Sequence, residues 1–305
     1  MSAAHPDFWI AVTCAAAFFQ NLRFILQKQL SMATLSAAGA TFARFVYSAP
    51  LAAVLLVIYL HAIGQPLPET SARFWLAGTV GGAAQVGATV CVVQLFKARN
   101  FAVGITLMKT QVIFAVAVGA VLLGEVPSLA GLGAICLGLV GVLLLTEAAS
   151  DGTWTWRALT SRAMLLGLAS GVLFAVSAVC YRAATLEIAS EDPLVRSGIT
   201  LSAVTAMQTL GMVVWLAWRE PGQVGAVWRA RRRAVWVGLL SMAGSLGWFT
   251  AFALQTAAYV KAVGQVELVF SLIAATLLFG ERVTARELAG MAVLCLSIVL
   301  LVLVT

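Results

Sequence analysis

The sequence predicts an all-α membrane protein with ten transmembrane helices arranged as two inverted five-helix repeats, and three observations carry that expectation. The composition is 62% hydrophobic and only 10% charged, whereas a soluble domain needs roughly a quarter charged residues to solvate its surface. Apolar stretches follow one another almost end to end along the 305 residues, and a helix of ~20 such residues crosses a hydrocarbon core about 30 Å thick. The two halves close on the same pattern. The first reads Phe114, then Leu122-Leu123-Gly124-Glu125, Leu129-Ala130-Gly131 and Ile135-Cys136-Leu137; the second reads Phe270, then Leu278-Phe279-Gly280-Glu281, Leu288-Ala289-Gly290 and Leu294-Cys295-Leu296.

Each span is bounded by breakers. The first, Phe8–Leu30, opens a chain whose residues 1–10 lack a basic leader and cleavage signature, so it is expected to remain in the protein. Ala37–Leu60 is stopped by Gly64, Pro66 and Pro68, and Phe74–Phe96 by the polar run Lys97 to Asn100. Phe101–Leu123 ends at Gly124 to Pro127, and Ser128–Thr146 runs into a long connection holding Asp151 to Thr155. Ala163–Leu186 precedes Glu191 to Pro193, and Arg196–Trp218 precedes Pro221 and Gly222. Ala234–Thr256, Val260–Phe279 and Ala285–Val304 complete the series. The long connection near 147–162 divides the chain into residues 1–150 and 151–305, five spans each. An odd number of spans per half makes the second half enter the membrane in the opposite sense, an architecture used by many secondary transporters.

The polar tail of the first span ending in Lys28, the Ala43-Arg44-Phe45 stretch, and the repeated Gly-Glu turn with its Leu-Ala-Gly helix together resemble the drug/metabolite transporter superfamily, in its ten-helix branch of two EamA-type repeats. The resemblance covers essentially the whole chain and implies a transporter whose fourth and ninth helices face each other across a pseudo-twofold. Where members commonly carry a Trp-Gly pair in the first span, this chain reads Phe18-Phe19-Gln20-Asn21. The resemblance implies cytoplasmic termini. Basic residues point the other way: connections on the terminal side hold Arg73, Arg196 and Lys261, while the opposite side holds Lys97, Arg99, Arg157, Arg162, Arg219, Arg229, Arg231, Arg232, Arg233, Arg282 and Arg286. By the positive-inside rule the termini lie outside, and both orientations stay open.

An ionisable group inside a span costs at least ~2.5 kcal/mol on insertion scales, so it pairs, snorkels or faces a wet cavity. Gln20, Arg23 and Gln27 recur at helical spacing along one face of the first span. They read as a cavity wall, or else as snorkelling and interhelical bonding. Arg44 lies roughly 10 Å into its span, placed for substrate contact or for a structural bond to helix-end carbonyls. Lys109 falls near the midplane, too deep to snorkel, and Glu267 is the one carboxylate deep inside any span. Glu267 stands at the repeat position of Lys109 or Gln111, which makes a Lys109–Glu267 ion pair the expectation. Desolvation disfavours a charged carboxylate, so Glu267 is also the candidate for proton coupling. Gln111, Trp248 and Gln265 complete the candidate substrate-binding set; Gln85, Gln94, Arg182, Gln208, Gln255 and Lys261 read first as structural.

The expected function is secondary active transport of a small polar metabolite by alternating access. The surplus of intramembrane cations (Arg23, Lys28, Arg44, Lys109, Arg182) over one acid favours an anionic or zwitterionic substrate, an amino acid or organic acid before a phosphorylated or lipid-linked compound. A proton or counter-substrate would couple the movement, and no cofactor or metal is called for. The net charge of +7 is scattered apart from Arg229 to Arg233, which reads as a topology signal or an anchor to anionic headgroups rather than a nucleic-acid surface. Asp7, Asp151, Asp192, His5 and His61 are too peripheral to build an enzyme centre, and a membrane scaffold would have no use for midplane charge. The five cysteines are odd in number, lack metal spacing and read as buried small hydrophobes. A multi-pass protein of the cell membrane follows, with the bacterial inner membrane as the expected site.

Overall fold

The structure, a computed structural model, describes residues 7–33, 35–96, 107–145, 162–279 and 284–304. The Lys97–Asn100 run, the start of the fourth span, most of the 147–162 connection and the Gly280-Glu281 turn lie outside the described residues. Among those described there are helices and turns and no strand. The helices are α1 (Phe8–Ala33), α2 (Ala37–Ile63), α3 (Ala72–Leu95), α4 (Gln111–Leu123), α5 (Leu129–Leu145), α6 (Arg162–Leu186), α7 (Pro193–Arg219), α8 (Gln223–Arg229), α9 (Arg231–Leu254), α10 (Ala257–Val263), α11 (Glu267–Phe279) and α12 (Ala285–Val304), with a 3₁₀ turn at Gly264–Val266.

Seven of these, α1, α2, α3, α6, α7, α9 and α12, are long and apolar enough to cross a membrane, and α4 and α5 are shorter apolar helices of 13 and 17 residues. Their ends obey local chemistry. Ser36, Ser71 and Asp192 cap α2, α3 and α7 by accepting from the backbone N–H of Gly39, Phe74 and Leu194 at 2.9, 3.0 and 2.8 Å. Pro193 occupies the first turn of α7, where its missing N–H costs nothing, so that helix starts before the expected Arg196. Gly64 and Gly124 end α2 and α4 in the left-handed region at φ 67°, which a residue with a Cβ enters only at a cost.

Two expected spans are not continuous helices. The fourth span is interrupted by a turn at Lys109 and Thr110, where Thr110 Oγ1 donates back to the Leu107 carbonyl at 2.6 Å and competes with the helical ladder. The ninth, read from the sequence as Val260–Phe279, is broken into α10, the 3₁₀ turn and α11, with Gly264 at the break. A third departure is α8, a short helix inside what reads as a plain connection.

The helices pack in a pattern that exchanges the two halves. α1 lies along α9 while α3 lies along α6; α2 packs on α7 and α5 on α12; α4 meets α6 while α11 meets α1. The interior holds Tyr181, Phe249, Phe252 and Val260 in one apolar cluster. Large aliphatic side chains cover the outside, with Leu129 89% and Val121 82% exposed. Such a surface is stable against lipid and not against water. The cysteines depart from expectation: only Cys180 is buried, Cys14 and Cys91 are half-buried, and Cys136 and Cys295 face outward. Next to lipid, a thiol is as comfortable as in a protein core.

Candidate functional site

Both chain breaks meet in the middle of the bundle. Lys109, at the first, is 2% exposed, and Glu267, the first residue of α11, is 8% exposed. Lys109 Nζ donates to Glu267 Oε2 at 3.2 Å, so the expected pair is formed. Gln20 Nε2 on α1 donates to the same oxygen at 3.0 Å. Gln265 Nε2 in the 3₁₀ turn donates to the Lys109 carbonyl at 3.4 Å, tying one break to the other. The arrangement depends on close approach: Gly171 of α6 stands where a Cβ would come within 3.3 Å of the Leu107 and Met108 carbonyls. Gly78 and Gly82 serve only the α3–α7 seam, against Val204, Met207 and Gln208.

Beside the pair lies Lys261 on α10. Its ammonium sits 4.6 Å from the Trp248 ring centroid, 5.6 Å from Phe174 and 5.8 Å from Phe252, an aromatic cage that stabilises a cation by the ring quadrupoles. Gly264 lets Trp248 close this cage, since a Cβ there would come within 3.0 Å of Trp248 Cζ3. Lys261, Gln20, Phe24, Met108, Gln111, Phe174 and Glu267 line a small crevice of ≈ 10 Å³. Three buried polar atoms in this neighbourhood have no hydrogen-bond partner among the described residues: Gln111 Oε1, Gln265 Oε1 and Trp248 Nε1. An unpaired buried polar atom costs about 1–3 kcal/mol.

The other candidates are already engaged. Arg23, 2% exposed, donates from Nη1 to Gln27 Oε1, and its guanidinium lies 4.2 Å over the Phe24 ring. Gln27 Nε2 in turn donates to the Ala40 carbonyl of α2 at 3.0 Å. Arg44, 3% exposed, gives Nε to Ser241 Oγ at 2.9 Å, Nη1 to Thr89 Oγ1 at 3.1 Å and Nη2 to Ser245 Oγ at 3.3 Å. Its partners are hydroxyls of α3 and α9, not helix-end carbonyls. Arg182 is a clamp, with Nε on Glu125 Oε1 at 2.6 Å and Nη1 on the Phe252 and Gln255 carbonyls at 2.7 and 2.8 Å. Gln85 and Gln208 form a network with Tyr181, Gln85 Oε1 accepting from Tyr181 Oη at 2.9 Å and from Gln208 Nε2 at 3.0 Å.

Two larger cavities, of ≈ 350 and ≈ 570 Å³, are almost wholly apolar and open along the outer seams of α2, α7 and α9 and of α3 and α7. No charged side chain lines them.

Residues 161–303, which run from the start of α6 into α12, match the model of the EamA-like transporter family. That stretch is similar to the EamA-like transporter family, in agreement with the drug/metabolite transporter resemblance, and the long apolar helices fit a multi-pass membrane protein. No curated protein matches the chain. In fold, the chain is similar to a solved structure titled "Crystal structure of protein", with a TM-score of 0.69, 15% identity, and coverage of 99% of this chain and 98% of that one.

Lys261 is the residue that sequence reasoning undervalued. A ninth span starting at Val260 puts Lys261 at a membrane face, whereas α10 starts at Ala257 and buries it. It therefore leaves the count of topology-setting charges. The available signal was the Gly264 interruption, which marks a broken helix and moves everything near it into the interior.

Proposed function

We propose that the protein is a secondary active transporter that moves a small anionic or zwitterionic metabolite, an amino acid or organic acid, by alternating access, without enzymatic chemistry. The carrying observation is the charge count of the interior: Arg23, Arg44, Lys109 and Lys261 are buried against one buried carboxylate, Glu267, among the described residues. A buried charge is tolerated when paired and very costly when not, so an anion entering this cluster of four basic side chains and one acid supplies a partner that the cluster lacks. The proposed ligands are Lys261 and Lys109 for the anionic group, with Gln20, Gln111, Gln265 and the Trp248 indole N–H for the rest. Arg23, Gln27 and Arg44 hold α1, α2, α3 and α9 around the site and add to its positive field.

Alternating access between two inverted five-helix repeats, residues 1–150 and 151–305, is supported by the exchange symmetry of the packing and by broken helices at matching places in both halves. It is further supported by the size of the cavity: ≈ 10 Å³, room for about one water, is far below the ~300–1,000 Å³ of ligand pockets, so loading requires the halves to part. Glu267 serves as the proton-coupling group, because an incoming substrate anion competes with it for Lys109 and protonation releases it. A bacterial inner membrane is the proposed location.

The test is flux in proteoliposomes across a panel of carboxylates, phosphates, neutral and cationic solutes, with and without a pH gradient. The expected result is transport of a carboxylate that responds to the gradient in the wild type and not in Glu267→Gln. Flux of cations alone would remove the anion reading, and carboxylate flux indifferent to both the gradient and Glu267→Gln would remove the proton.

A further inference from the structure

The connection from α7 to α9 is built as more than a linker. Arg219, Arg229, Arg231, Arg232 and Arg233 are all exposed, and no exposed acid is interleaved with them. The one acid of the segment, Glu220, is turned inward, where its Oε2 accepts from the Ser36 hydroxyl at the start of α2. Tryptophans alternate with the arginines: Trp218 is 73%, Trp228 65% and Trp236 60% exposed. The Arg219 guanidinium lies 4.3 Å over the Trp218 ring and that of Arg231 5.6 Å from Trp228, so the cations are held over aromatic faces at the membrane boundary. The inner side of α8 is firmly seated. Val227 is buried among Phe42, Phe45, Leu216 and Ala234, the Ser36 N–H donates to Gln223 Oε1 at 3.1 Å, and Tyr47 Oη donates to the Val227 carbonyl at 3.4 Å.

We propose that α8 and the flanking ends of α7 and α9 form a binding surface for anionic phospholipid headgroups. A topology signal requires positive charge alone; it requires neither a docked helix that fixes the charges on a rigid ledge nor an acid withdrawn from their midst. Tryptophan settles at the headgroup level with its ring toward the acyl chains and its N–H toward water, and guanidinium groups at that level match phosphate in bidentate fashion. Exposed arginines near an anionic surface each contribute about fivefold to partitioning. The inference is independent of the transport site: it concerns only the outer surface, and its readout is lipid binding and not flux.

The experiment titrates the detergent-purified protein with dioctanoyl phosphatidylglycerol and, separately, dioctanoyl phosphatidylcholine, following the unfolding midpoint. Inorganic phosphate and glycerol 3-phosphate serve as headgroup-only probes. The expected result is half-saturation by the anionic lipid at a concentration at least tenfold lower than by the zwitterionic one. That preference should vanish in Arg229→Gln/Arg231→Gln/Arg232→Gln/Arg233→Gln and persist in the corresponding Arg→Lys variant, with the free phosphates inert. Should the glutamine variant fail to fold, the preference of the wild type in 50 mM against 500 mM salt takes its place, since exposed charges are screened over a Debye length that shrinks about threefold. Equal affinity for the two lipids, a preference untouched by the glutamines or by salt, or stabilisation by free phosphate equal to that by the lipid would each overturn the proposal.

Discussion

Among the described residues, two acid–base pairs join the halves of the molecule, and they are built to opposite specifications. Arg182 and Glu125 meet at 2.6 Å near one end of the bundle, and the guanidinium also holds the Phe252 and Gln255 carbonyls, so α4, α6 and α9 are fastened together with few donors to spare. Lys109 and Glu267 meet at 3.2 Å in the middle, at two chain breaks, beside a caged lysine and three buried polar atoms without partners. A fully bonded ion pair has nothing to gain from a visitor. An under-bonded centre, carrying excess positive charge in a low-dielectric interior, has a great deal to gain. The contrast separates a residue pair that holds the fold from one that is available for chemistry.

The contrast can be broken most directly at Glu267. Glu267→Gln leaves Lys109 without its counter-charge and is expected to lower stability by about 3–5 kcal/mol, with gradient-driven transport abolished. The double variant Lys109→Gln/Glu267→Gln should recover most of that stability and none of the transport. Both readings come from unfolding curves and proteoliposome flux on the same preparations. If the double variant is no more stable than Glu267→Gln, the two residues are not energetically coupled.

Arg182→Gln tests the other side. It should cost about 1–3 kcal/mol, the range for hydrogen bonds lost from partly buried groups, while flux per folded molecule stays within a factor of two or so. A variant that folds normally yet loses flux would move Arg182 from the scaffold into the site. Lys261→Gln should do the reverse. Removing an uncompensated buried cation is expected to leave stability unchanged or raised by ~1 kcal/mol, while substrate affinity falls about tenfold or more. The smallest effect is expected of Trp248→Phe, which keeps the ring over Lys261 but deletes an N–H that has no partner among the described residues. Stability should be unaffected, and affinity should drop by roughly the worth of one hydrogen bond, ~1 kcal/mol or about fivefold.

Much of this organisation is readable in the chain. Apolar runs and their breakers locate the helices, because the bilayer imposes length and polarity on every span. Depth alone brings Lys109 and Glu267 to notice. What is not readable comes from the interruptions. A run such as Val260–Phe279 looks continuous by hydropathy, since a 3₁₀ turn buried inside protein needs no polar residues to form it, and Lys261 is misplaced as a result. The bonding of Arg44 is also invisible: Thr89, Ser241 and Ser245 are unremarkable hydroxyls in separate helices, and only packing shows that they converge on one guanidinium. Arg23 and Gln27 have the spacing of a cavity wall, yet their bonds run to each other and to α2.

The claim that the centre awaits an anion is tested most directly by thermal stabilisation of the purified protein across amino acids, organic acids, phosphorylated compounds, neutral solutes and cations, in the wild type and in Lys261→Gln. A ligand at a hundred times its Kd adds about 2.7 kcal/mol to a reversible two-state system, well within measurement. The account predicts a stabilising carboxylate whose effect is lost in Lys261→Gln while Arg182→Lys still responds. Stabilisation by neutral or cationic compounds alone, equal in the wild type and Lys261→Gln, would contradict it and return these buried cations to a purely structural role.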